Sequence, residues 1–256
     1  MLLCLDVGNS QILGGVFDQN QIKLRFRHKT KDGSTSDELG IFLKNVLREN
    51  NIVPDGIHEI AISSVVPSLD YSLRATCLKY FKIDPFILQV GVKTGLKIKT
   101  RNPAEIGADL IATAIGAIEY FPNQHIIIVD FGTATTFTIL SKQKEFLGAV
   151  ITTGIKLSMQ ALQQNTAKLC GVEIIKPQSI LGRSTAECIQ AGLFYSNTGM
   201  IKEINTQIIQ EAFHNEPTVV IGTGGFSHLF RKEKLFTKIM PDLILDGLRN
   251  AIQMNR

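Results

Sequence analysis

Apolar and polar residues follow one another along this chain in two tandem cycles of the same order. An apolar run of strand length, Leu2-Leu3-Cys4-Leu5, opens the sequence and meets Asp6-Val7-Gly8-Asn9-Ser10. A second apolar stretch, Ile12-Leu13-Gly14-Gly15-Val16-Phe17, follows. The pattern restarts 124 residues later, with Ile126-Ile127-Ile128-Val129, then Asp130-Phe131-Gly132-Thr133-Ala134-Thr135-Thr136, then Phe137 to Leu140. A strand, a tight turn rich in Gly and short polar residues, and a returning strand predict a β-hairpin at both places.

Downstream of the first hairpin, Lys23 to Lys31 alternates basic with apolar residues at a period of two, which predicts a strand with one solvated face. Thr35-Ser36-Asp37-Glu38 supplies a capping box for a helix whose apolar residues Leu39, Phe42, Leu43, Val46 and Leu47 recur every three to four positions. Ile60 to Val66 predicts a strand ended by Pro67, Tyr71 to Phe81 a second helix, and Phe86 to Val90 another strand. Asn102-Pro103 pairs an N-cap with proline at the first helical position, and Glu105 completes the cap; the helix runs to about Tyr120 and stops at Pro122. The second half repeats this order loosely. It has hairpin strands to Val150, a helix from Lys156, a loop around Lys176-Pro177 and a helix from Ser184 to about Gln210. The strand Val219 to Ile221, the turn Gly222-Thr223-Gly224-Gly225, a short helix, and a last helix after Pro241-Asp242 close the chain. Alternating strands and helices in two tandem units predict an α/β protein of two domains, residues 1–115 and 116–256, with a cleft between them. The helix from Asn102 to Tyr120 is expected to cross from one to the other.

Composition narrows the functional classes. With 256 residues, 44% hydrophobic and 20% charged, the chain reads as globular with a sizeable core. A formal charge of +4 is too mild to imply nucleic acid, and the lack of Trp with only four Tyr argues against a base-stacking platform. Cys4, Cys77, Cys170 and Cys188 are scattered; Cys4 and Cys77 fall in core patterns, and a reduced, cytoplasmic protein is expected. Neither a signal peptide nor an apolar run of membrane-spanning length is present, so no membrane partner is expected. The five histidines show no metal-ligand spacing, and the Walker A and dinucleotide glycine motifs are both missing.

The turns carry the chemistry. Gly8 and Gly132 let backbone N–H groups approach a polyphosphate, while Asn9, Ser10, Thr133, Thr135 and Thr136 offer hydrogen bonds. Asp6 and Asp130 repel phosphate directly, but suit outer ligands of a cation that grips it. One such hairpin alone is equally an ordinary turn; two in matched positions favour a nucleotide–metal site. Asp109 falls in the second turn of the predicted 102–120 helix, among Glu105, Ala112, Thr113 and Gly116 at helical spacing. That small or polar face leaves room for a ligand or for another surface. Asp109 is then either a structural group that caps a loop or pairs with a Lys, or a general base for an attacking alcohol.

The order of these motifs resembles the type III pantothenate kinases. Asp6-Val7-Gly8-Asn9-Ser10, Ser64-Val65-Val66-Pro67, Asn102-Pro103, Gly107-Ala108-Asp109 and Asp130 to Thr136 recur there in sequence. So do Gly182-Arg183-Ser184-Thr185, Thr223-Gly224-Gly225 and Pro241 to Leu248. The resemblance covers essentially the whole chain. It implies two ribonuclease-H-like domains of the actin-like, acetate and sugar kinase architecture, a homodimer, and phosphorylation of pantothenate with ATP in the first step of coenzyme A synthesis. Mg²⁺ with ATP and a monovalent cation (K⁺ or NH₄⁺) are the implied cofactors. By the same resemblance Asp6, Val7, Gly8, Asn9, Ser10, Gln11, Ile12 and Leu13, with Gly132 and Thr133, hold ATP, and Asp6 reaches Mg²⁺ through water. Asp130 binds K⁺, Asp109 is the base, and Thr100, Gly107, Ala108, Asp109, Leu110 and Thr185 face pantothenate.

Departures from the family pattern gather on the pantothenate side. Leu110 stands where Arg is usual, Thr100 where Tyr is usual, and Thr153 where a proline is usual; Leu13 also replaces a polar or basic residue. An Arg–carboxylate hydrogen bond contributes roughly 1.5–3 kcal/mol, so its loss weakens substrate binding about 10- to 150-fold unless another group, such as Arg101 or one from a second subunit, takes over. The alternative expectation is a nucleotide-binding paralogue with weak or no pantothenate kinase activity, or with an altered substrate.

Overall fold

The computed structural model describes residues 1–256, which divide into two compact units. The first comprises Met1–Leu96, Arg101–Glu119 and Leu243–Arg256; the second comprises Lys97–Thr100 and Tyr120–Asp242. The chain therefore interleaves its units instead of dividing once between residues 115 and 116.

In the first unit, β1 (Leu2–Val7), β2 (Gln11–Asp18) and β3 (Gln21–Lys29) form an antiparallel meander. β4 (Glu59–Ser64) and β5 (Phe86–Ile87) continue the sheet parallel to β1, giving the order β3-β2-β1-β4-β5. Helices α1 (Ser36–Glu49), α2 (Pro67–Thr76) and α3 (Ala108–Tyr120) pack on this sheet. The predicted capping box is formed, with Thr35 N donating to Glu38 at 2.8 Å and Glu38 N donating to Thr35 Oγ1 at 3.2 Å. β1, between antiparallel β2 and parallel β4, is covered on both faces by helices, so its apolar residues run almost without interruption. Leu3, Leu5 and Val7 pack with Leu39, Leu43, Leu69 and Leu73 of α1 and α2. Leu2 and Cys4 pack with Ala112 and Ile115 of α3 on the opposite side. The period of two along β1 thus places Asp6 on the α3 face.

Three predicted boundaries move. The second helix begins at Pro67 and ends in a π-helical turn, Cys77–Phe81, with Lys82 left-handed at φ 61°. The strand at Phe86 pairs only to Ile87. The helix expected over 102–120 is two elements: Asn102 caps a single 3₁₀ turn, Pro103–Glu105, Ile106 is extended at ψ 125°, and α3 starts at Ala108. Asp109 consequently lies in the first turn of a helix, and α3 up to Glu119 stays within the first unit.

In the second unit, β6 (Lys97–Ile98) lies parallel along the edge of β9 (Glu145–Thr153). β7 (His125–Phe131), β8 (Ala134–Leu140) and β9 form the second antiparallel meander. β10 (Thr218–Gly224) and β11 (Lys238–Ile239) lie parallel beyond β7. Setting β6 aside, the order β9-β8-β7-β10-β11 repeats that of the first sheet. Two helices, α4 (Ile155–Gln164) and α5 (Thr185–Phe213), accompany it. Phe131 and Phe194 both stack on Phe230, at 5.0 and 5.3 Å between ring centres, at the heart of this core.

The last helix, α6 (Leu243–Met254), returns to the first unit. A Cβ on Gly247 would lie 1.7 Å from the Ala112 carbonyl oxygen, and one on Gly116 2.4 Å from that of Leu243. The small face of α3 is therefore spent on a backbone-to-backbone crossing with α6. No helix is long and apolar enough to cross a membrane.

Candidate active site

The two predicted hairpins exist, and both turns lie at the carboxyl ends of parallel central strands, where α/β sheets bind ligands. In the first, Val7 pairs with Ile12, Gly8 N donates to Gln11 O at 3.1 Å, and Asn9 and Ser10 form an exposed tip. Thr30, just past β3, braces this turn: its hydroxyl donates to Gly8 O at 2.6 Å and its N–H to Ser10 O at 3.2 Å. Nothing in the sequence pattern marked Thr30. Val7 and Ile12 turn their side chains into the core, while Leu13 lies half-buried beside the α3 layer.

The second turn is one residue shorter. Asp6 pairs with Leu13, whereas Asp130 pairs with Thr136, and Gly132 N donates to Ala134 O at 3.0 Å with Thr133 at the tip. Gly154 N donates to Thr133 O at 3.1 Å, and a Cβ at Gly154 would come within 2.3 Å of that oxygen. Gly224, at φ +81°, lies against Asp130; a Cβ there would sit 2.2 Å from Asp130 Oδ1. Gly224, the last residue of β10, thus seats the Asp130 carboxylate. Thr135 does not join the turn: it pairs with Phe131, is fully buried, and its hydroxyl lacks a partner.

Asp109 Oδ1 accepts a hydrogen bond from Leu110 N at 2.8 Å. A Cβ at Gly107 would stand 2.3 Å from that same oxygen and 3.5 Å from Val65 Cγ1. Val65 N in turn donates to Val7 O at 3.0 Å. The start of α3 is therefore seated at the end of β1, beside the Asp6–Gly8 turn, and Asp109 comes with it. Burial pushes the Asp109 carboxyl above the usual carboxylate range, opposed in part by the N–H groups of Leu110 and of Asp109 itself. A raised value is what a base working near neutrality needs. Of the two occupants expected for the small helical face, a ligand or another surface, the structure shows the second: Ala112 and Gly116 meet α6, and Thr113 Oγ1 donates to Asp109 O at 3.1 Å.

The residues expected to face pantothenate fall in both units. Gly107, Ala108, Asp109 and Leu110 belong to the first; Thr100 and Thr185 belong to the second. Thr100 Oγ1 is buried without a hydrogen-bond partner. Thr185 opens α5 behind the Ser184 cap and lines a groove of about 780 Å³ between α4 and α5. Thr153 shares that groove and accepts from Ser158 Oγ at 3.2 Å. Gly182 passes under the first turn of α5, where a Cβ would meet Cys188 N at 2.4 Å.

Two sheets of equal strand order, each with an Asp and a glycine turn at the carboxyl end of an interior strand, define the actin-like, acetate and sugar kinase architecture. Solved structures agree. A candidate 2-dehydro-3-deoxygalactonokinase from Sinorhizobium meliloti aligns at TM-score 0.64 and 11% identity, covering 99% of this chain and 96% of its own. A candidate Baf family transcriptional activator from Campylobacter jejuni aligns at TM-score 0.56 and 18% identity, covering 99% and 98%. At these identities the likeness establishes the fold alone. The type III pantothenate kinase family profile matches residues 2–207. A type III pantothenate kinase of Legionella pneumophila is 59% identical over 255 residues, covering 100% of this chain and 99% of the relative. Another from Francisella tularensis, type III pantothenate kinase 1, is 47% identical over 256 residues, covering both chains fully. The chain belongs to the type III pantothenate kinase family.

Proposed function

We infer that this chain transfers the γ-phosphoryl group of ATP to pantothenate, in the first step of coenzyme A biosynthesis. The observation that carries the mechanism is the half-buried Asp109 carboxylate seated beside the first turn. As the pantothenate hydroxyl oxygen bonds to the γ-phosphorus, the bond from phosphorus to the ADP oxygen breaks and the hydroxyl proton passes to Asp109. The backbone N–H groups of Asn9, Ser10 and Thr133 at the two tips, with the side chains of the same residues, orient the phosphates. Asp6 and Asp130 stand at strand ends among oxygen donors, a set that suits hard cations. Asp6 would hold Mg²⁺ through water and Asp130 K⁺, and these ions supply charge neutralisation on the triphosphate.

Thr100, Gly107, Ala108, Leu110 and Thr185 are assigned to pantothenate. Leu110 offers its carboxylate no charge, so exposed Arg101 is the candidate partner. A second copy of the chain would cover the apolar surface at Ile151, Leu157 and Leu162, all exposed on the second unit. Cys170 and Cys188 are exposed free thiols, which supports a reducing, cytoplasmic setting.

ADP release measured with and without pantothenate, in potassium and then sodium buffer, tests this reading. Pantothenate-dependent release that falls in sodium is expected; release indifferent to pantothenate would overturn it. The uncharged Leu110 favours one competing reading, a nucleotide-binding paralogue of little activity. That reading predicts ATP binding without turnover, and recovery of turnover in the Thr100→Tyr, Leu110→Arg double variant.

A further inference from the structure

We propose that Arg27 and Lys29, on the edge strand β3, form a cationic arm that contacts the phosphates of the nucleotide held at the Asp6–Gly8 turn. The proposal rests on the nucleotide reading above and adds binding residues to it. Strand register supplies the placement. Asp6 pairs with Leu13 and Leu13 with Arg27, so the three side chains lie in a row on one face of the sheet. Neighbouring strands are about 4.8 Å apart, which sets Arg27 roughly 10 Å from Asp6 along that row. A triphosphate on the turn and a long guanidinium side chain can meet across that interval. Gln11 pairs with Lys29, which puts the ammonium group at the mouth of the same turn. The next residue, Thr30, ties the end of β3 to Gly8 and Ser10 by two hydrogen bonds, so the arm is fixed to the turn it serves.

Charge pairing points the same way. Arg27 and Lys29 are exposed, and neither takes part in an ion pair or side-chain hydrogen bond, whereas Lys23 at the far end of the strand donates to Gln21 at 3.3 Å and Arg25 is engaged. Within β3 the unpaired cations are thus the two nearest the turn. Leu13, between Arg27 and Asp6, offers a phosphate no donor. The other face of β3 is occupied by anchoring contacts, with Phe26 against Phe42 at 5.9 Å and His28 on the same ring at 4.0 Å. A guanidinium fork matches two phosphate oxygens, and an ammonium group acts as a point charge that steers the anion.

The test measures binding of Mg-ATP and of adenosine to the full-length chain by calorimetry, for wild type, Arg27→Ala, Lys29→Ala, the double variant and Lys23→Ala. Loss of one charge-assisted phosphate contact corresponds to about 10-fold or more in affinity. The expected result is a Kd for ATP raised about 10-fold in Arg27→Ala and further in the double variant, with adenosine binding and Lys23→Ala unchanged. Arg27→Lys retains part of the affinity. Equal ATP affinity in the double variant and wild type overturns the proposal. An equal loss for adenosine overturns it too, and so does a defect confined to the KM for pantothenate, which would assign the arm to the acid substrate. Wild-type protein that binds no Mg-ATP overturns the nucleotide reading itself.

Discussion

Substituting Gly107 by alanine isolates the placement of the proposed base from its chemistry. The added methyl carbon would stand 2.3 Å from Asp109 Oδ1, whereas ordinary contact begins near 3.4 Å, so one of the two groups has to shift by about 1 Å. Gly107 is not among the glycines at positive φ, and its backbone accepts alanine without conformational strain. The carboxylate is the softer partner: it rotates away and gives up its 2.8 Å bond from Leu110 N. A displacement of about 1 Å at a reacting group costs on the order of 100-fold in rate, equivalent to roughly 2.7 kcal/mol on the barrier. Steady-state ADP release should therefore show kcat about 100-fold lower in Gly107→Ala. Calorimetry should find ATP affinity within about 2-fold of wild type, since a change of this kind at α3 removes no phosphate contact. The melting temperature should stay within a few degrees. Unchanged kcat would refute the placement of Asp109, and activity lost only in proportion to folded protein would refute the reasoning as well.

Thr30→Val should weaken ATP binding several-fold and lower stability by about 1 kcal/mol, because it removes the 2.6 Å bond that braces Gly8; calorimetry and thermal melts read both. Ser63 lies opposite Asp6 on β4, fully buried with its hydroxyl unpartnered, so Ser63→Ala should raise the melting temperature by about 2–4 °C; a fall would show that the hydroxyl is bonded. The raised Asp109 pKa fixes two pH trends. First, kcat/KM should fall as pH drops through that value, since the protonated carboxyl accepts no proton. Second, the folded state binds this proton more tightly than the unfolded chain does, so the contribution to stability is present below about pH 4 and lost as pH rises through the raised value. Asp109→Asn should therefore melt above wild type at pH 8, with the gain shrinking toward pH 4.

Residues whose role follows from local pattern were legible in the sequence, and those whose role follows from packing were not. The two apolar-Asp-x-Gly repeats specified both hairpins, since alternation and turn chemistry act within about ten residues. Thr35 and Glu38 specified the start of α1 for the same reason. Asn102-Pro103 signalled a helix start truthfully, but the extended Ile106 limits it to one 3₁₀ turn, a break that no propensity at that position announces. The small residues of α3 left a ligand or another surface equally open, and only the return of Gly247, 135 residues after Ala112, decides for the surface. That same long-range return puts α6 in the first unit, and β6 joins the second by pairing with β9. The equivalence of the two turns also looked closer in sequence than in space, because the register of β7 with β8 is set by one residue fewer. Thr30 and Gly154, which support the two turns, lie just past the ends of β3 and β9 and carry no local signal.

The central claim is that Asp109 removes the proton from the attacking hydroxyl while the turns hold ATP independently of it. Asp109→Asn keeps the shape of the side chain and its bond from Leu110 N, so its ATP affinity should match that of wild type. Its pantothenate-dependent ADP release should fall by about 10²–10⁴-fold, the range that general-base catalysis supplies. Turnover within a few-fold of wild type, with ATP binding intact, would contradict that assignment directly.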